Sequence, residues 1–310
     1  MKNKRIVITG GAGFIGSNLA EALSADNEVS IIDDLSSGRM ENIEHLLKKS
    51  DVTFIQGSVT DLSLLQSAFK KTNFVFHQAA MASVARSVED PLLCDEVNIK
   101  GTLNVLVAAR DNHVRKIVFA SSCALYGDNP VLPKREDMLP EPRSPYAVTK
   151  LAGEHYCQVV SHVFGLPSVC LRYFNVYGPR QDPHSDYAAV IPRFITKALQ
   201  NQPLTIFGDG DQTRDFVFIK EVVRANILAA EGQAEGIYNI GSGESISVNM
   251  LAAAISDILG RKLDIVHQTP RSGEVRHSQA DISKASAISY RPQYSLQAGL
   301  KETVRWFSSN

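Results

Sequence analysis

The sequence of 310 residues predicts an α/β fold: a doubly wound parallel sheet with a smaller lobe formed by the second half of the chain. Two observations predict this fold. Short β-rich segments alternate with helical segments through the first half, which indicates parallel strands joined by helical crossovers. Several strand segments, such as IVIT, FVFH and KIVFA, are almost continuously apolar, as is typical of a sheet that helices cover on both faces.

The predicted elements follow one another as RIVIT, a helix over FIGSNLAEALSA, EVSIID, VTFIQ, FVFHQAA, a helix over NIKGTLNVLVAARDN, KIVFASS and a helix that begins in SPYAVTK. After LRYFNVYGPR, Pro and Gly become frequent and the alternation weakens, which favours a separate lobe over the carboxyl edge of the sheet. We therefore expect one domain at residues 1–174, to which residues 216–242 return, and a lobe made of residues 175–215 and 243–310.

Charge and cysteine content exclude several classes of protein. The chain has 32 basic and 33 acidic residues and a formal net charge of -1, without long runs of like charge, so nucleic acid and membrane surfaces are not expected as partners. The cysteines form no CxxC pair and the histidines have no ligand spacing, which predicts neither disulfides nor a metal site. No apolar run approaches the roughly 20 residues of a membrane span. We expect a cytoplasmic protein.

A glycine-rich segment, TGGAGFIG, lies between the first predicted strand and the first predicted helix. Gly10, Gly13 and Gly16 would let backbone N–H groups and the helix N-terminus approach a pyrophosphate. The second strand ends in Asp33 about 20 residues further on, where a carboxylate would hold ribose hydroxyls. This arrangement predicts a Rossmann-type dinucleotide site. Asp33 favours NAD, and Arg39 keeps NADP as the alternative.

The segment SPYAVTK predicts a proton-transfer pair. Ser144 and Pro145 suit a helix start, and Tyr146 and Lys150 share one face because they are four residues apart. Ser121 and Ser122 end the strand KIVFASS and should face the ligand crevice. We expect a phenol and a hydroxyl to reach one carbinol oxygen, with Lys150 and a cationic nicotinamide favouring the phenolate. An inert surface Tyr–Lys pair is the alternative.

The segments TGGAGFIG, SSCALYG, SPYAVTK and LRYFNVYG together resemble the extended short-chain dehydrogenase/reductases that act on nucleotide sugars, and the resemblance spans nearly the whole chain. Within that superfamily the chain is most similar to UDP-hexose 4-epimerases, particularly those that act on UDP-N-acetylglucosamine and UDP-N-acetylgalactosamine. The segments that carry this likeness are LRYFNVYGPRQDP, YAAVIPRF, GDGDQTRDFVFI and GEVRHSQADISKA.

The resemblance implies a bound NAD that is not released between turnovers. Tyr146 would remove the proton from the sugar 4-hydroxyl as hydride leaves C4, Ser122 would polarise that oxygen, and Lys150 would bind ribose and tune Tyr146. The resulting 4-keto sugar would rotate and take hydride back on its other face. Relatives commonly pair the helices over NIKGTLNVLVAARDN and SPYAVTK, so a homodimer is expected.

The resemblance also implies the binding residues. For the cofactor they are Gly10, Gly13, Phe14, Ile15, Gly16, Asp33, Asp34, Ser37, Gly38, Ser58, Val59, Ala79, Ala80, Asn98, Tyr146, Lys150 and Tyr173. Ser58 stands where relatives often have Asp for the adenine. For the UDP-sugar they are Ser122, Tyr146, Asn175, Ala189, Val190, Thr205, Phe207, Arg214, Arg271, Glu274 and Ser278. Arginine forks suit a diphosphate, although surface ion pairs are the alternative for Arg214 and Arg271.

Other functions share most of these motifs. Nucleotide-sugar dehydratases and UDP-glucuronate decarboxylases usually have a carboxylate after the catalytic serine or threonine, where this chain has Cys123 and Ala124. A catalytically silent NAD sensor would need only the glycine segment. Epimerases restricted to UDP-glucose and UDP-galactose tend to have a bulky Tyr at the position of Ser278, so the small side chain favours N-acetylated sugars.

Overall fold

The computed structural model describes residues 1–183, 189–270 and 275–309. The strands are β1 (Arg5–Thr9), β2 (Glu28–Asp33), β3 (Val52–Gln56), β4 (Phe74–His77), β5 (Lys116–Ser122), β6 (Ser168–Tyr173), β7 (Asn175–Tyr177), β8 (Leu204–Phe207), β9 (Thr213–Arg214), β10 (Phe216–Phe218), β11 (Gly236–Ile240), β12 (Ile246–Ser247) and β13 (Ile265–Gln268). The helices are α1 (Phe14–Leu23), α2 (Leu62–Ala68), α3 (Val84–Glu89), α4 (Pro91–Asp95), α5 (Gly101–Asp111), α6 (Pro145–Phe164), α7 (Val190–Leu199), α8 (Ile219–Glu231), α9 (Val248–Leu259) and α10 (Leu296–Ser309).

A seven-stranded sheet with the order β11-β6-β5-β4-β1-β2-β3 forms the centre of the molecule. Its neighbouring strands pair in parallel; Ile8 of β1, for example, lies opposite Ile31 on one side and Phe76 on the other. The chain order reverses direction between β1 and β4, and in doubly wound sheets such a switch point opens a ligand crevice at the carboxyl ends of the strands. The predicted α/β fold class is confirmed.

Helices cover both faces of this sheet, as the apolar strands predicted. Side chains alternate along β1: Ile6 and Ile8 are in the same apolar cluster as Leu19 of α1, whereas Val7 is in a second cluster with Leu106 of α5 and others. Helices α1 and α8 contact each other on the first face, and α2, α5 and α6 contact one another in sequence on the second face. The sheet is therefore dry on both faces, and polar side chains concentrate at its edge.

Short strand pairs surround the remaining helices in the second half of the chain. Strand β7 pairs with β10 and β8 with β13 in parallel, and β9 pairs with β12 in the antiparallel sense. Helix α7 buries Ile191, Phe194, Ile195 and Ala198, which recur at the spacing of one helical face. These residues belong to the same apolar cluster as Ile6 and Ile8, so the core is continuous from the large sheet into this part of the chain.

One predicted helix differs from the structure at its start. Residues Glu96–Lys100 form a π-helical turn, and the α-helix α5 begins only at Gly101. Asn98 lies in the wider turn and is buried, with its side-chain oxygen accepting a hydrogen bond from the Met81 N–H (2.8 Å). The extra residue in the turn allows this long-range contact, which no local pattern encodes.

Candidate active site

The residues predicted to bind the cofactor come together at the carboxyl edge of the sheet. They follow or end successive strands: Gly10 and Gly13 after β1, Asp33 and Asp34 at β2, Ser58 and Val59 after β3, Ala79 and Ala80 after β4, and Tyr173 at the end of β6. Phe14, Ile15 and Gly16 form the start of α1. Because parallel strands end at one edge, residues far apart in the chain meet there.

The glycine segment leaves room for an anionic ligand at the start of α1. Gly13 caps this helix without any side-chain hydrogen bond, so the first backbone N–H groups stay available to a ligand. A Cβ atom on Gly16 would lie only 2.1 Å from the Gly10 carbonyl oxygen, so no larger residue fits without moving the backbone. The loop is thus shaped for close approach of a pyrophosphate, which fits NAD.

Asp33 is buried at the base of this loop. Its Oδ2 accepts a hydrogen bond from the Ala12 N–H and its Oδ1 accepts one from the Leu35 N–H, both at 2.9 Å. Burial raises the pKa of Asp33 and these bonds oppose the rise. The backbone N–H of Gly13 also acts to lower this pKa, and the lone pairs that these N–H groups leave unused suit a ribose hydroxyl. Nearby Arg39 forms an ion pair with Asp182 (2.7 Å), so its guanidinium already has a carboxylate partner.

Two other residues predicted to bind the cofactor are held by hydrogen bonds to residues of the same chain. Asn98 donates from Nδ2 to the Met81 carbonyl (3.2 Å) and to Thr149 Oγ1 (2.9 Å), and so fastens the loop after β4 to α6. The Tyr173 hydroxyl accepts a hydrogen bond from Asn226 Nδ2 (2.8 Å). Ser37 and Asp34 are exposed, and Gly38 and Ser58 are half-buried. Asn226 was not predicted from the sequence, where nothing marks its distant partner.

His77, at the end of β4, links the end of β1 to α5. Its Nδ1 lies 2.7 Å from Thr9 Oγ1 and its Nε2 lies 3.0 Å from Thr102 Oγ1. Because the Thr102 hydroxyl donates to the Asn98 carbonyl (2.5 Å), it accepts from Nε2–H, and Nδ1 therefore accepts from Thr9. Burial and the charge of Lys150 lower the pKa of His77 to about 3, so the ring is neutral.

The predicted start of the catalytic helix is confirmed. Ser144 caps α6 through its Oγ, which accepts a hydrogen bond from the Ala147 N–H (3.2 Å), and Pro145 occupies the first helical position. Tyr146 therefore lies in the first turn and Lys150 in the next. The Lys150 Nζ is 5.9 Å from the centre of the Tyr146 ring. The two side chains share one face, as the spacing predicted.

Tyr146 meets Ser122 at the end of β5. A hydrogen bond with Ser122 lowers the pKa of Tyr146, but burial outweighs it and raises the pKa to about 12. Without the nicotinamide, desolvation of the phenol dominates. The expectation that Lys150 and the cationic nicotinamide together favour the phenolate stays a prediction. Ser122 Oγ also accepts a hydrogen bond from the Ala124 N–H (3.1 Å), which fixes the hydroxyl.

Lys150 is buried beneath this pair. Its Nζ donates to the Ala120 carbonyl at 2.8 Å, which uses one of three donors. Burial lowers the pKa of Lys150 to about 8, while Cys94, Cys157 and Glu154 act to raise it. Near neutral pH the ammonium group therefore stays mostly charged, and its other donors suit ribose hydroxyls.

Ser121 does not face the crevice, contrary to the prediction. Strand β5 continues through Ser122, so the two serines point to opposite sides. The Ser121 Oγ donates to Glu154 Oε1 (2.6 Å), and Arg172 binds both oxygens of Glu154 at 2.8 Å. All three side chains are buried.

A cavity of about 370 Å³ brings together most of the residues predicted to bind the nucleotide of the substrate. Its lining includes Asn175, Ala189, Val190, Thr205, Phe207 and Arg214. Apolar walls and a guanidinium in one concave site suit a base with a diphosphate. Arg271 and Glu274 lie outside the described residues.

Asp215 organises this region and was not predicted. It has 0% exposure, and its carboxylate accepts hydrogen bonds from Ser242 N–H (2.7 Å), Ser242 Oγ (2.7 Å), Gly243 N–H (3.0 Å) and Ala280 N–H (3.0 Å). Burial raises the pKa of Asp215 and these bonds oppose the rise. Its carbonyl accepts from Asn175 Nδ2 (3.0 Å). The residue thereby joins the cavity wall to the segment around Ser278.

Ser278 lies in a segment that contacts the strand leading into the nucleotide cavity. Its N–H donates to the Thr213 carbonyl (3.1 Å), next to Arg214 of the cavity. Ala280, two residues on, belongs to an apolar cluster against which Cys123 packs. The segment of Ser278 thus connects the predicted diphosphate and catalytic positions.

In the part of the chain that the structure describes, no group of three or more His, Cys, Asp or Glu side chains is placed to hold a metal ion. Over residues 1–183, 189–270 and 275–309, no helix has the length and apolar character needed to cross a bilayer. The cytoplasmic location stays a prediction.

The buried neutral ring of His77 predicts an acid-dependent loss of stability. Its pKa is about 3 in the native state against 6.5 as the ordinary value, so only the unfolded state binds a proton as the pH falls below 6.5. In urea unfolding, the free energy of unfolding of the wild type should fall by about 1 kcal/mol more than that of His77→Gln between pH 6 and pH 5. His162→Gln, at an exposed histidine of α6, should keep the wild-type slope. Equal slopes for His77→Gln and wild type would contradict the neutral assignment.

Comparison with known proteins identifies the family of the chain. Residues 6–241 match the NAD dependent epimerase/dehydratase family. The UDP-glucose 4-epimerase of Mycolicibacterium smegmatis is 40% identical over 310 residues, covering 98% of this chain and 98% of the relative.

Solved structures extend the likeness to the whole fold. A UDP-N-acetylglucosamine 4-epimerase from Methanobrevibacter ruminantium M1, in complex with UDP-N-acetylmuramic acid, is 44% identical with a TM-score of 0.97, over 100% of this chain and 99% of that one. A UDP-glucuronic acid 4-epimerase from Bacillus cereus, in complex with UDP-glucuronic acid and NAD, is 35% identical with a TM-score of 0.89, over 98% and 99% of the two chains. The chain therefore belongs to the NAD-dependent epimerase/dehydratase family, and its cofactor is NAD.

Proposed function

We propose that this UDP-sugar 4-epimerase interconverts UDP-N-acetylglucosamine and UDP-N-acetylgalactosamine, and also accepts UDP-glucose and UDP-galactose. The observation that carries the substrate choice is the small, half-buried side chain of Ser278, in a segment whose backbone is hydrogen-bonded to Thr213 beside Arg214 of the cavity. A 2-acetamido group needs volume in both orientations of the sugar, and a serine leaves more volume than a tyrosine would. The 44% identical UDP-N-acetylglucosamine 4-epimerase supports the same choice.

The residues of the chain have separate roles in this reaction. Bound NAD supplies the acceptor and donor of hydride for the sugar C4, and its positive charge favours ionisation of a nearby phenol. Tyr146 exchanges a proton with the sugar O4, and Ser122 holds that oxygen through a hydroxyl fixed by the Ala124 N–H. Lys150 contributes a buried positive charge one helical turn from Tyr146, which acts in the same direction as the charge of the nicotinamide in favouring the phenolate.

Inversion requires that the sugar turns while the nucleotide stays bound. The cavity lined by Asn175, Phe207 and Arg214 would anchor the UDP, and Asp215 holds its wall to the segment of Ser278. The 4-keto sugar could then present either face to the same Tyr146 and Ser122. One acid–base pair serves both directions because the proton leaves from and returns to the same O4, while hydride leaves from and returns to C4.

Elimination of water fits this site less well. Dehydratases use a carboxylate next to the catalytic serine or threonine, whereas Cys123 and Ala124 occupy those positions. Burial raises the pKa of Cys123 to about 12, so this thiol does not act as a base near neutral pH. A UDP-glucuronate 4-epimerase is the second candidate, because the 35% identical Bacillus cereus enzyme acts on that sugar. UDP-glucuronate therefore belongs in the substrate panel.

Removal of the phenolic hydroxyl tests the catalytic assignment. Tyr146→Phe should lower kcat by about 10²- to 10⁴-fold, because no other group near O4 can exchange the proton. NAD content, measured by absorbance after denaturation of purified protein, should stay at the wild-type level because the glycine loop is remote from the phenol. A variant with wild-type turnover would show that Tyr146 does not transfer the proton.

Enlargement of Ser278 tests the substrate assignment. The wild type should epimerise UDP-N-acetylglucosamine. In Ser278→Tyr, kcat/KM on N-acetylated sugars should fall about 5- to 150-fold relative to kcat/KM on UDP-glucose, since overfilling a site costs about 1 to 3 kcal/mol. Initial rates of epimer formation on UDP-glucose, UDP-N-acetylglucosamine and UDP-glucuronate give kcat/KM for each sugar and measure this ratio. Ser63→Tyr, at an exposed position of α2, is the matched control. An equal loss on all sugars, or none, would remove Ser278 from the specificity site.

We also infer a homodimer formed through α6. Val148 (50%), Val159 (51%) and Val163 (60%) are exposed on a common face of this helix, at a spacing that repeats every third or fourth residue. Light scattering after size exclusion should give twice the chain mass for the wild type, and Val159→Glu should give the monomer mass. Met250→Glu, at an equally exposed apolar side chain of α9, should stay dimeric. A monomeric wild type would overturn this inference.

A further inference from the structure

Successive turns of α6 are fastened to consecutive residues at the end of β5. Tyr146 is hydrogen-bonded with Ser122, and Lys150 Nζ donates to the Ala120 carbonyl (2.8 Å). One turn further on, Glu154 Oε1 accepts from Ser121 Oγ (2.6 Å). Because positions 146, 150 and 154 are four residues apart, all lie on one face of the helix.

Of these contacts, that of Glu154 is the most deeply buried, and an ion pair with Arg172 holds it. Glu154 and Arg172 have exposures of 1% and 2%, and the guanidinium donates to both carboxylate oxygens at 2.8 Å. Arg172 also lies 4.9 Å from the centre of the Tyr126 ring. A fork of two parallel hydrogen bonds fixes direction as well as distance. Glu154 is thereby tied to β6 and β5 at once.

We propose that Glu154, held by Arg172, is a positioning residue that sets the register of α6 against β5, so that Tyr146 and Lys150 meet Ser122. This inference rests on the proposed roles of those three residues. Glu154 touches neither substrate nor cofactor in this proposal. It acts through Ser121, the strand neighbour of Ser122, and through its charge one turn from Lys150.

Lys150 is surrounded by titratable groups from several elements. The charges of these groups decide how much Glu154 changes the pKa of Lys150. His77 of β4 is neutral, Cys94 comes from α4, and Cys157 and Glu154 come from α6 itself. Glu154 is the carboxylate among the groups that raise the pKa of Lys150. Glu154→Gln would remove this charge and leave the Arg172 cation buried without its partner, so Lys150 would lose its proton at lower pH.

Two substitutions separate position from charge in epimerisation assays of the holoenzyme. Ser121→Ala removes the contact to the strand without a change of charge, and should lower kcat about 5-fold with the wild-type pH profile. Glu154→Gln should lower kcat about 10-fold at pH 7 and move the decline of kcat on the alkaline side towards lower pH. The decline moves down because activity that needs charged Lys150 is lost as the pH passes its pKa.

Glu221→Gln is the matched control. Glu221 is another buried carboxylate, with 2% exposure and an ion pair to Arg224 (3.1 Å), and it lies on α8. Its variant should lose thermal stability but keep the wild-type kcat and pH profile. Wild-type kcat and profile in folded, NAD-loaded Glu154→Gln would overturn the proposal, and so would an equal fall of kcat in Glu221→Gln.

The remaining outcomes are also decisive. If Glu154→Gln does not fold, Ser121→Ala decides alone, and a wild-type kcat in that variant overturns the positioning role. Tyr146→Phe is measured alongside as a reference. Full activity of Tyr146→Phe would refute the proposed catalytic assignment, whereas its inactivity combined with normal Glu154→Gln would refute only the role of Glu154.

Discussion

Close packing of α6 against β5 is the constraint on which the arrangement of the site depends. Gly153 lies over the Phe119 ring, and a Cβ atom there would be 2.4 Å from Phe119 Cζ. Only a residue without a side chain lets the helix approach this far. The short approach in turn permits Lys150 to reach a main-chain carbonyl of the strand and Tyr146 to reach Ser122. A helix farther away would leave buried Lys150 without an acceptor, which is costly for a charged group.

In the second half of the chain, a buried carboxylate is stabilised in a different way. Asp215 is a buried carboxylate that accepts hydrogen bonds from backbone N–H groups and a serine, whereas Glu154 is balanced by a guanidinium. Both arrangements satisfy the carboxylate oxygens. The hydrogen bonds of Asp215 join the segments of Ser242 and Ala280 to Asn175 of the cavity wall. The contacts of Glu154 with Arg172 and Ser121 join one helix to two strands.

Local signals in the sequence were sufficient for the cofactor loop and the catalytic helix. Gly10, Gly13 and Gly16 with Asp33 have a spacing that strand, turn and helix geometry impose, and Ser144 and Pro145 mark a helix start. The orientation of Ser121, the partners of His77 and the donors to Asp215 could not be predicted, because they depend on contacts between residues far apart in the chain. The pKa of Tyr146 depends on burial, which the spacing from Lys150 does not reveal.

The segment from Pro179 to Asp182 joins the two halves of the molecule beside the dinucleotide loop. Asn18 of α1 donates to the Pro179 carbonyl (3.2 Å), Arg180 forms an ion pair with Glu21, and Asp182 forms one with Arg39 (2.7 Å). These contacts connect the segment after β7 with α1 and with the loop after β2. Helix α1 and this loop lie on either side of the glycine turn. The segment that follows β7 is therefore held to the glycine turn by side chains as well as by the continuous chain. A shift of this segment would disturb the contacts of α1 and of the loop after β2 at the same time.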